Sequence, residues 1–285
     1  MKHEFGGLWT RKKLELLEKY LQFYTTALKN TPFTLHFVDA FAGIGHQNSR
    51  TTKEQSELLP EDSLPGSVTI ALDVTPPFHV YHFNDVDKDR ADALRQIAKR
   101  HPSITFNIGE VDANVFVREF CSTMQKLDRA VVFLDPYSTE LDWQTLECIA
   151  STKKADLWLL FPLSTLLRMT PKNGAQIRPE WRDKLNRLLG TAEWEEALYK
   201  EKTAPVSRDL FVEQDSIPVF ERINVAELSA WLVKRLEEVF AYAAEPVLLK
   251  NNGKPLFLFL FAVANPNDKA KGLANRVVKH IIKST

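Results

Sequence analysis

Residues Phe33 to Gly45 read F-T-L-H-F-V-D-A-F-A-G-I-G. The apolar run through Leu35, Phe37 and Val38 reaches a carboxylate at Asp39 and breaks at Gly43 and Gly45. That order predicts a buried strand entering a tight turn. Glycines let the chain turn directly after the strand, and they let a ligand approach the backbone without meeting a Cβ. An acid at the strand tip accepts hydrogen bonds from an amine or hydroxyl. The stretch is therefore a candidate nucleotide-binding turn of an α/β domain, with Asp39, Phe41, Gly43 and Gly45 at the ligand. Only G-x-G of the three-glycine dinucleotide fingerprint is present, so the rest of the chain has to agree.

The frame around it is neutral. The 285 residues carry 37 Lys and Arg against 37 Asp and Glu, so no net field draws the protein to nucleic acid or to a membrane. The two cysteines, Cys121 and Cys148, are far apart, and no C-x-x-C or H-E-x-x-H pattern exists, so neither a disulfide framework nor a metal site is expected. The amino terminus is charged, and no apolar run approaches spanning length, so a cytoplasmic chain without a membrane segment is expected.

Upstream, Leu14, Leu17, Leu21, Tyr24 and Leu28 recur at helical spacing, with Thr10 as the expected N-cap. Gly6, Gly7 and Trp9 precede it as an arm resting on the domain. Downstream of Gly45, residues His46 to Ser63 have no period and read as a loop over the ligand site, ending in L-P-G-S before a short helix from Ser67. Three further strands each end near an acid. F-H-V-Y-H-F, Phe78 to Phe83, leads to Asp85 and Asp87; Asp85 is the candidate for two ribose hydroxyls, with Asp87 second, and either can instead be a helix cap. I-T-F-N-I, Ile104 to Ile108, leads to Val111, Asp112 and Asn114, candidates for reading an adenine edge. A-V-V-F-L-D-P-Y-S, Ala130 to Ser138, ends in Asp135, Pro136 and Tyr137. That triple suits methyl transfer to an amine: the Asp135 carboxylate and Pro136 carbonyl can accept from an exocyclic NH₂, and Tyr137 can stack on a base. Thr139 and Asp142 are spaced as a capping box for the following helix.

A-D-L-W-L-L-F-P, Ala155 to Pro162, is apolar throughout, as a strand buried on both faces is. Residues 164 to 190 then hold Arg168, Lys172, Arg178, Arg182, Lys184 and Arg187 around Trp181, a candidate surface for phosphate backbone. After a helix from Val225, a turn at Asn251 to Lys254 joins two final strands as a hairpin. The predicted fold is a doubly wound, seven-stranded, mostly parallel α/β sheet closed by a C-terminal antiparallel hairpin, plus a helical insertion. Its divisions are 1–163 for the N-terminal helix and core, 164–224 for the insertion, and 225–285 for the closing helix and hairpin. Such a sheet looks like that of class I S-adenosylmethionine-dependent methyltransferases.

The segments F-G-G-L-W-T, V-D-A-F-A-G-I-G, P-G-S, V-D-A-N (Val111 to Asn114), V-F-L-D-P-Y (Val132 to Tyr137), D-L-W-L-L-F-P (Asp156 to Pro162) and G-K-P-L-F-L-F-L-F together resemble the three-Cys-motif partner (TcmP) proteins. The resemblance implies a methyltransferase-like fold, S-adenosylmethionine as cofactor, and a partner carrying a three-cysteine, radical-S-adenosylmethionine-like motif. Amino-methyltransferases acting on bases look like D-P-P-Y at the fourth strand; D-P-Y-S here brings the aromatic one position nearer the acid. Two other readings compete: a non-catalytic adaptor for that partner or for nucleic acid, and a nicotinamide-dependent oxidoreductase, which the shortened glycine motif and the terminal hairpin disfavour.

Overall fold

The computed structural model describes residues 8–43, 66–202 and 219–285. Gly6, Gly7, Gly45 and the expected loop His46 to Ser63 lie outside them. Helix α1 (Leu8–Leu28) leads into β1 (Thr34–Asp39). Three units follow in which a strand feeds a helix: β2 (Val80–Asn84) and α3 (Lys88–Arg100), β3 (Thr105–Gly109) and α4 (Ala113–Thr123), β4 (Asp128–Leu134) and α5 (Trp143–Ser151). Helix α2 (Ser67–Asp73) lies between β1 and β2, and β5 (Ala155–Phe161) follows α5. The chain closes with α9 (Val225–Glu237), β8 (Tyr242–Ala243), β9 (Val247–Asn251), β10 (Lys254–Val263) and α10 (Asp268–Ser284).

The strands run β3-β2-β1-β4-β5-β10, with β8 and β9 beyond β10. The first five are parallel, and β10 is antiparallel to β5. The predicted doubly wound sheet with its closing hairpin is thus present. Eight strands occupy seven positions, because β8 and β9 pair with successive stretches of the same edge of β10, opposite β5. They are separated by Ala244 to Pro246, where proline supplies no N–H to the ladder. The hairpin turn is set by Asn252 and Gly253, both at positive φ (49° and 77°), the pairing that matches the twist of the flanking strands.

Alternation along the strands divides the core into two layers. Leu35, Phe37, Tyr81, Phe133, Trp158 and Phe261 pack beneath α1, α2 and α10, while Val38, Val132, Leu157, Leu159 and Leu260 pack beneath α5, α6 (Leu163–Met169) and α9. Two cap expectations fail. Helix α1 begins at Leu8, because Trp9 continues the apolar stripe and packs on Phe257 at 5.0 Å; Thr10 is therefore inside the helix, buried, and caps nothing. Asp142 does precede α5, but its side chain accepts no backbone N–H there, so the Thr139 and Asp142 capping box is absent; the carboxylate instead lies 4.0 Å from Arg187.

Residues 164–224 hold most of α6, then α7 (Pro179–Leu189), α8 (Trp194–Leu198) and a small hairpin of β6 (Tyr199–Lys202) with β7 (Val219–Arg222), which the sequence reading missed. Leu185, Leu188, Leu189, Trp194 and Leu198 join the buried cluster that includes α5 and α9, so this segment is packed onto that face of the sheet. No helix among the described residues is long and apolar enough to cross a membrane.

Candidate functional site

A parallel sheet brings the C-terminal ends of its strands to one edge, and a crevice opens there where the strand order reverses. Here the reversal lies between β1 and β4. Asp39 closes β1, Asp85 follows β2, Asp112 follows β3 and Asp135 follows β4, so the four acids predicted from sequence stand at the tips of four adjacent parallel strands. Each makes different bonds.

Asp39 has no exposed surface. Its Oδ1 accepts from the Phe41 N–H at 3.1 Å and its Oδ2 from the Ser67 hydroxyl at 2.6 Å, tying the end of β1 to the start of α2. Burial pushes this carboxyl up to about 7, with Asp135 adding to the rise and Ser67, Phe41 and Lys13 opposing it. Gly43 turns at φ +53°, where a side chain would be strained, and among the described residues nothing lies within 4 Å of the place a Cβ would occupy. Pro136 is buried, and Tyr137 is 89% exposed, its ring free of the protein's own packing.

Asp85 is buried and accepts from the Asp87 N–H at 2.9 Å, with Arg90 Nη1 at 3.4 Å from its other oxygen. Asp87, the second choice, is the N-cap of α3, accepting from the Arg90 N–H at 3.0 Å. Asp112 caps α4 in the same way through one oxygen, which accepts from the Asn114 and Val115 N–H groups. The Asn114 side chain is committed inward: it donates to the Glu140 carbonyl at 2.7 Å and accepts from the Asp142 N–H and the Thr145 hydroxyl, both at 2.8 Å. It joins α4 to α5, with Oδ1 fully used and one N–H of Nδ2 given to Glu140.

Two residues that sequence reasoning passed over hold this edge together. Asn84, 1% exposed, donates to the carbonyls of Ala40 (3.1 Å) and Val111 (3.0 Å) and accepts from the Val111 N–H (3.2 Å). One amide thus fixes the turn after β1 against the loop after β3. Lys13, from α1, reaches Asp135 Oδ2 at 2.6 Å while only 5% exposed. Its signal was visible: Lys13 is four residues before Leu17 and so lies on the apolar stripe of α1, where a cation needs a buried partner. Around the tips, Val86 (74% exposed) and Val111 (40%) present apolar side chains to solvent beside Asp85 and Asp112. A cavity of about 730 Å³ lies elsewhere, between α1, α2 and α10, and none of these acids lines it.

The basic segment is less available than its composition implies. Arg182 makes a two-pronged contact with Glu195, Arg187 lies near Asp142, and the Arg178 guanidinium sits 4.9 Å from the centre of the Trp181 ring. Among the described residues no group of three or more His, Cys, Asp or Glu is arranged to hold a metal ion.

No family model matches the chain, and no curated protein matches it in sequence. Among solved structures, it is similar to the protein LPL1258 of Legionella pneumophila, assigned to family DUF519, with TM-score 0.52 and 12% identity over 96% of this chain and 92% of that one. It is also similar to monomeric WbdD (TM-score 0.40, 11% identity, 89% of this chain and 41% of that one). The carbon methyltransferase of CurJ aligns with TM-score 0.38 and 14% identity over 91% of this chain and 58% of that one. The chain therefore spans less than two thirds of the last two proteins. The likeness to LPL1258 is one of fold.

Proposed function

We propose that this chain is an S-adenosylmethionine-dependent methyltransferase of class I whose acceptor is an amine on a nucleic-acid base. The observation that carries the reading is the row of acids at four adjacent strand tips, beside a left-handed glycine turn at the point where the sheet reverses. The residues suit this cofactor. The glycine turn at Gly43 lets the methionine end approach the backbone, and Asp39, in its ionised form, favours an amino group there. Asp85 can bind two ribose hydroxyls, and the second oxygen of Asp112 can accept from the adenine amine, whereas the Val111 N–H, expected to read a ring nitrogen, is already given to Asn84. Val86 and Val111, exposed apolar side chains, suit the faces of a flat ring.

When bound, the cofactor supplies a methyl group already activated on a sulfonium. The protein's own share is positioning. The second Asp135 oxygen, which among the described residues makes no hydrogen bond, and the Pro136 carbonyl accept from an exocyclic amine, and Tyr137 offers its ring to the base. The row of cations from Arg168 to Arg187 with Trp181 is proposed as the surface that meets nucleic-acid backbone. The resemblance to three-Cys-motif partner proteins supports an assembly with a three-cysteine-motif protein.

Titration calorimetry tests the cofactor. The wild type is expected to bind S-adenosylmethionine or its demethylated product, and Asp85→Ala to weaken that binding by about tenfold or more, the effect of losing charge-assisted hydrogen bonds to the ribose. Unchanged affinity in a folded Asp85→Ala protein removes Asp85 from the site. Silence of the wild type removes the enzyme.

A further inference from the structure

We infer that Lys13 is a positioning residue of this site, the counter-ion that holds Asp135 through Oδ2 beside Asp39 and leaves the other Asp135 oxygen for the acceptor. The inference rests on the proposed methyltransferase reading and deepens it. Lys13 is built in: its ammonium lies 2.6 Å from Asp135 Oδ2, 5.6 Å from the centre of the Trp9 ring and 5.8 Å from that of Phe133. Two aromatic faces and one carboxylate thus enclose a side chain 5% exposed. An ammonium is taken out of water only where charge and donors are answered, so a solvated surface lysine is the wrong description.

The charges around it explain its use. Asp135 stands at the tip of β4 and the fully buried Asp39 at the tip of β1, its neighbour in the sheet. Asp135, with 29% of its side chain exposed, keeps contact with water, so the fully buried Asp39 is the acid that most needs a cation nearby. Asp135 raises the proton affinity of Asp39, and Lys13 lowers it. The other groups near this corner do not serve: Ser67, from α2, is uncharged, Asp85 on the next tip pairs with Arg90, and Arg11 and Lys12 on α1 pair with neither acid.

The chemistry follows from donors and acceptors. A protonated Asp135 would donate a hydrogen bond, and it would suit an anionic acceptor. An ionised Asp135 only accepts, and with Oδ2 taken by Lys13 it takes one N–H from the acceptor through Oδ1. Lys13 thereby selects a neutral amine over a carboxylate or phosphate, and it makes α1 part of the site.

Two measurements on the full chain test this, using Lys13→Met, which keeps the stem length, and Lys13→Arg, which keeps the charge. In calorimetry with S-adenosylhomocysteine, Lys13→Met is expected to bind about tenfold more weakly than wild type at pH 7 and to recover at pH 9, where Asp39 ionises without help from Lys13, while Lys13→Arg stays within about threefold. Wild-type affinity at both pH values, or a loss that pH 9 does not repair, overturns the inference. The second measurement needs no ligand. The melting point of Lys13→Met is expected to fall below wild type by more at pH 9 than at pH 5, because the buried Asp39 must then carry its charge without Lys13 nearby. An equal deficit at both pH values overturns the inference, whereas absence of binding by wild type overturns only the cofactor reading.

Discussion

Gly109→Ala is expected to lower the unfolding free energy by about 3 kcal/mol and to take cofactor affinity with it. The residue closes β3 directly opposite Asn84 on β2. A Cβ there would strike Asn84 Oδ1 and come within 2.6 Å of the Phe116 ring. Neither can retreat cheaply. Asn84 is 1% exposed and holds three hydrogen bonds to Ala40 and Val111, and Phe116 packs against the layer beneath α4. Overpacking alone costs about 1 to 3 kcal/mol, and each buried partner left unsatisfied adds about 1 to 3. The turn after β1 and the loop after β3 would separate, and both are parts of the proposed cofactor site. Urea unfolding and calorimetry on the same preparation check this. A variant within about 0.5 kcal/mol of wild type would mean that the edge is looser than its bonds imply.

The second large effect is on acid. Four adjacent strands contribute a polar string under α4: Asp128 on β4, His36 on β1, His82 on β2 and Asn107 on β3. Asn107 Nδ2 lies 3.2 Å from His82 Nδ1, and His82 Nε2 lies 3.0 Å from His36 Nδ1. His36 Nε2 faces Asp128 at 3.3 Å, with an alignment too poor for a good hydrogen bond. A neutral tautomer satisfies each step, with Asn107 donating to His82 and His82 donating to His36. The Phe120 ring, 4.6 Å from that of His82, helps to exclude water. Burial accordingly pushes His82 down to about 4 from an ordinary 6.5, and His36 down as well, with Asp128 partly offsetting the fall.

The sign follows from proton counting. Between pH 6.5 and 4 the unfolded chain takes up a proton on His82 that the folded chain refuses, so stability falls as pH falls through that window. The full effect of His82 alone is about 3 kcal/mol. Asp39 and Asp156, both raised by burial to about 7, act oppositely: the folded protein keeps their protons where the unfolded chain has released them, so acidification from pH 7 towards 4 favours folding. The whole-protein curve therefore mixes cancelling slopes. The difference between wild type and His82→Gln isolates the histidine, and the wild type is expected to lose about 3 kcal/mol more than the variant between pH 7 and 4. Parallel curves would show that His82 titrates as freely in the fold as outside it.

Strand tips were legible because they are local events: an apolar run, then an acid, then a glycine, proline or helix cap. Each of the four acids is where that pattern places it. What each acid bonds to was not legible, since it depends on elements far off in the chain. Asp135 meets Lys13 across 122 positions, and Asn84 meets Val111 across 27. Asn114 carried the right residue type for reading a base, yet the fold turns it towards α5, a choice made by packing. The expected caps at Thr10 and Asp142 failed for a related reason, because the helix start is decided by how far the apolar stripe extends and not by the first good capping residue. The hairpin at Asn252 and Gly253 was readable to the residue, since its backbone demands are met by these two adjacent residues alone.

The interrupted margin formed by β8 and β9 has a consequence for the protein in crowded solution. A long unbroken outer strand offers a ladder of free N–H and C=O groups on which another polypeptide can extend the sheet. Here that ladder is cut into pieces of two and five residues with Pro246 between them, and the opposite margin, β3, is five residues long. Neither side gives an incoming strand enough consecutive bonds to hold it, so the folded protein is guarded against sheet-to-sheet polymerisation by the shortness of its own borders.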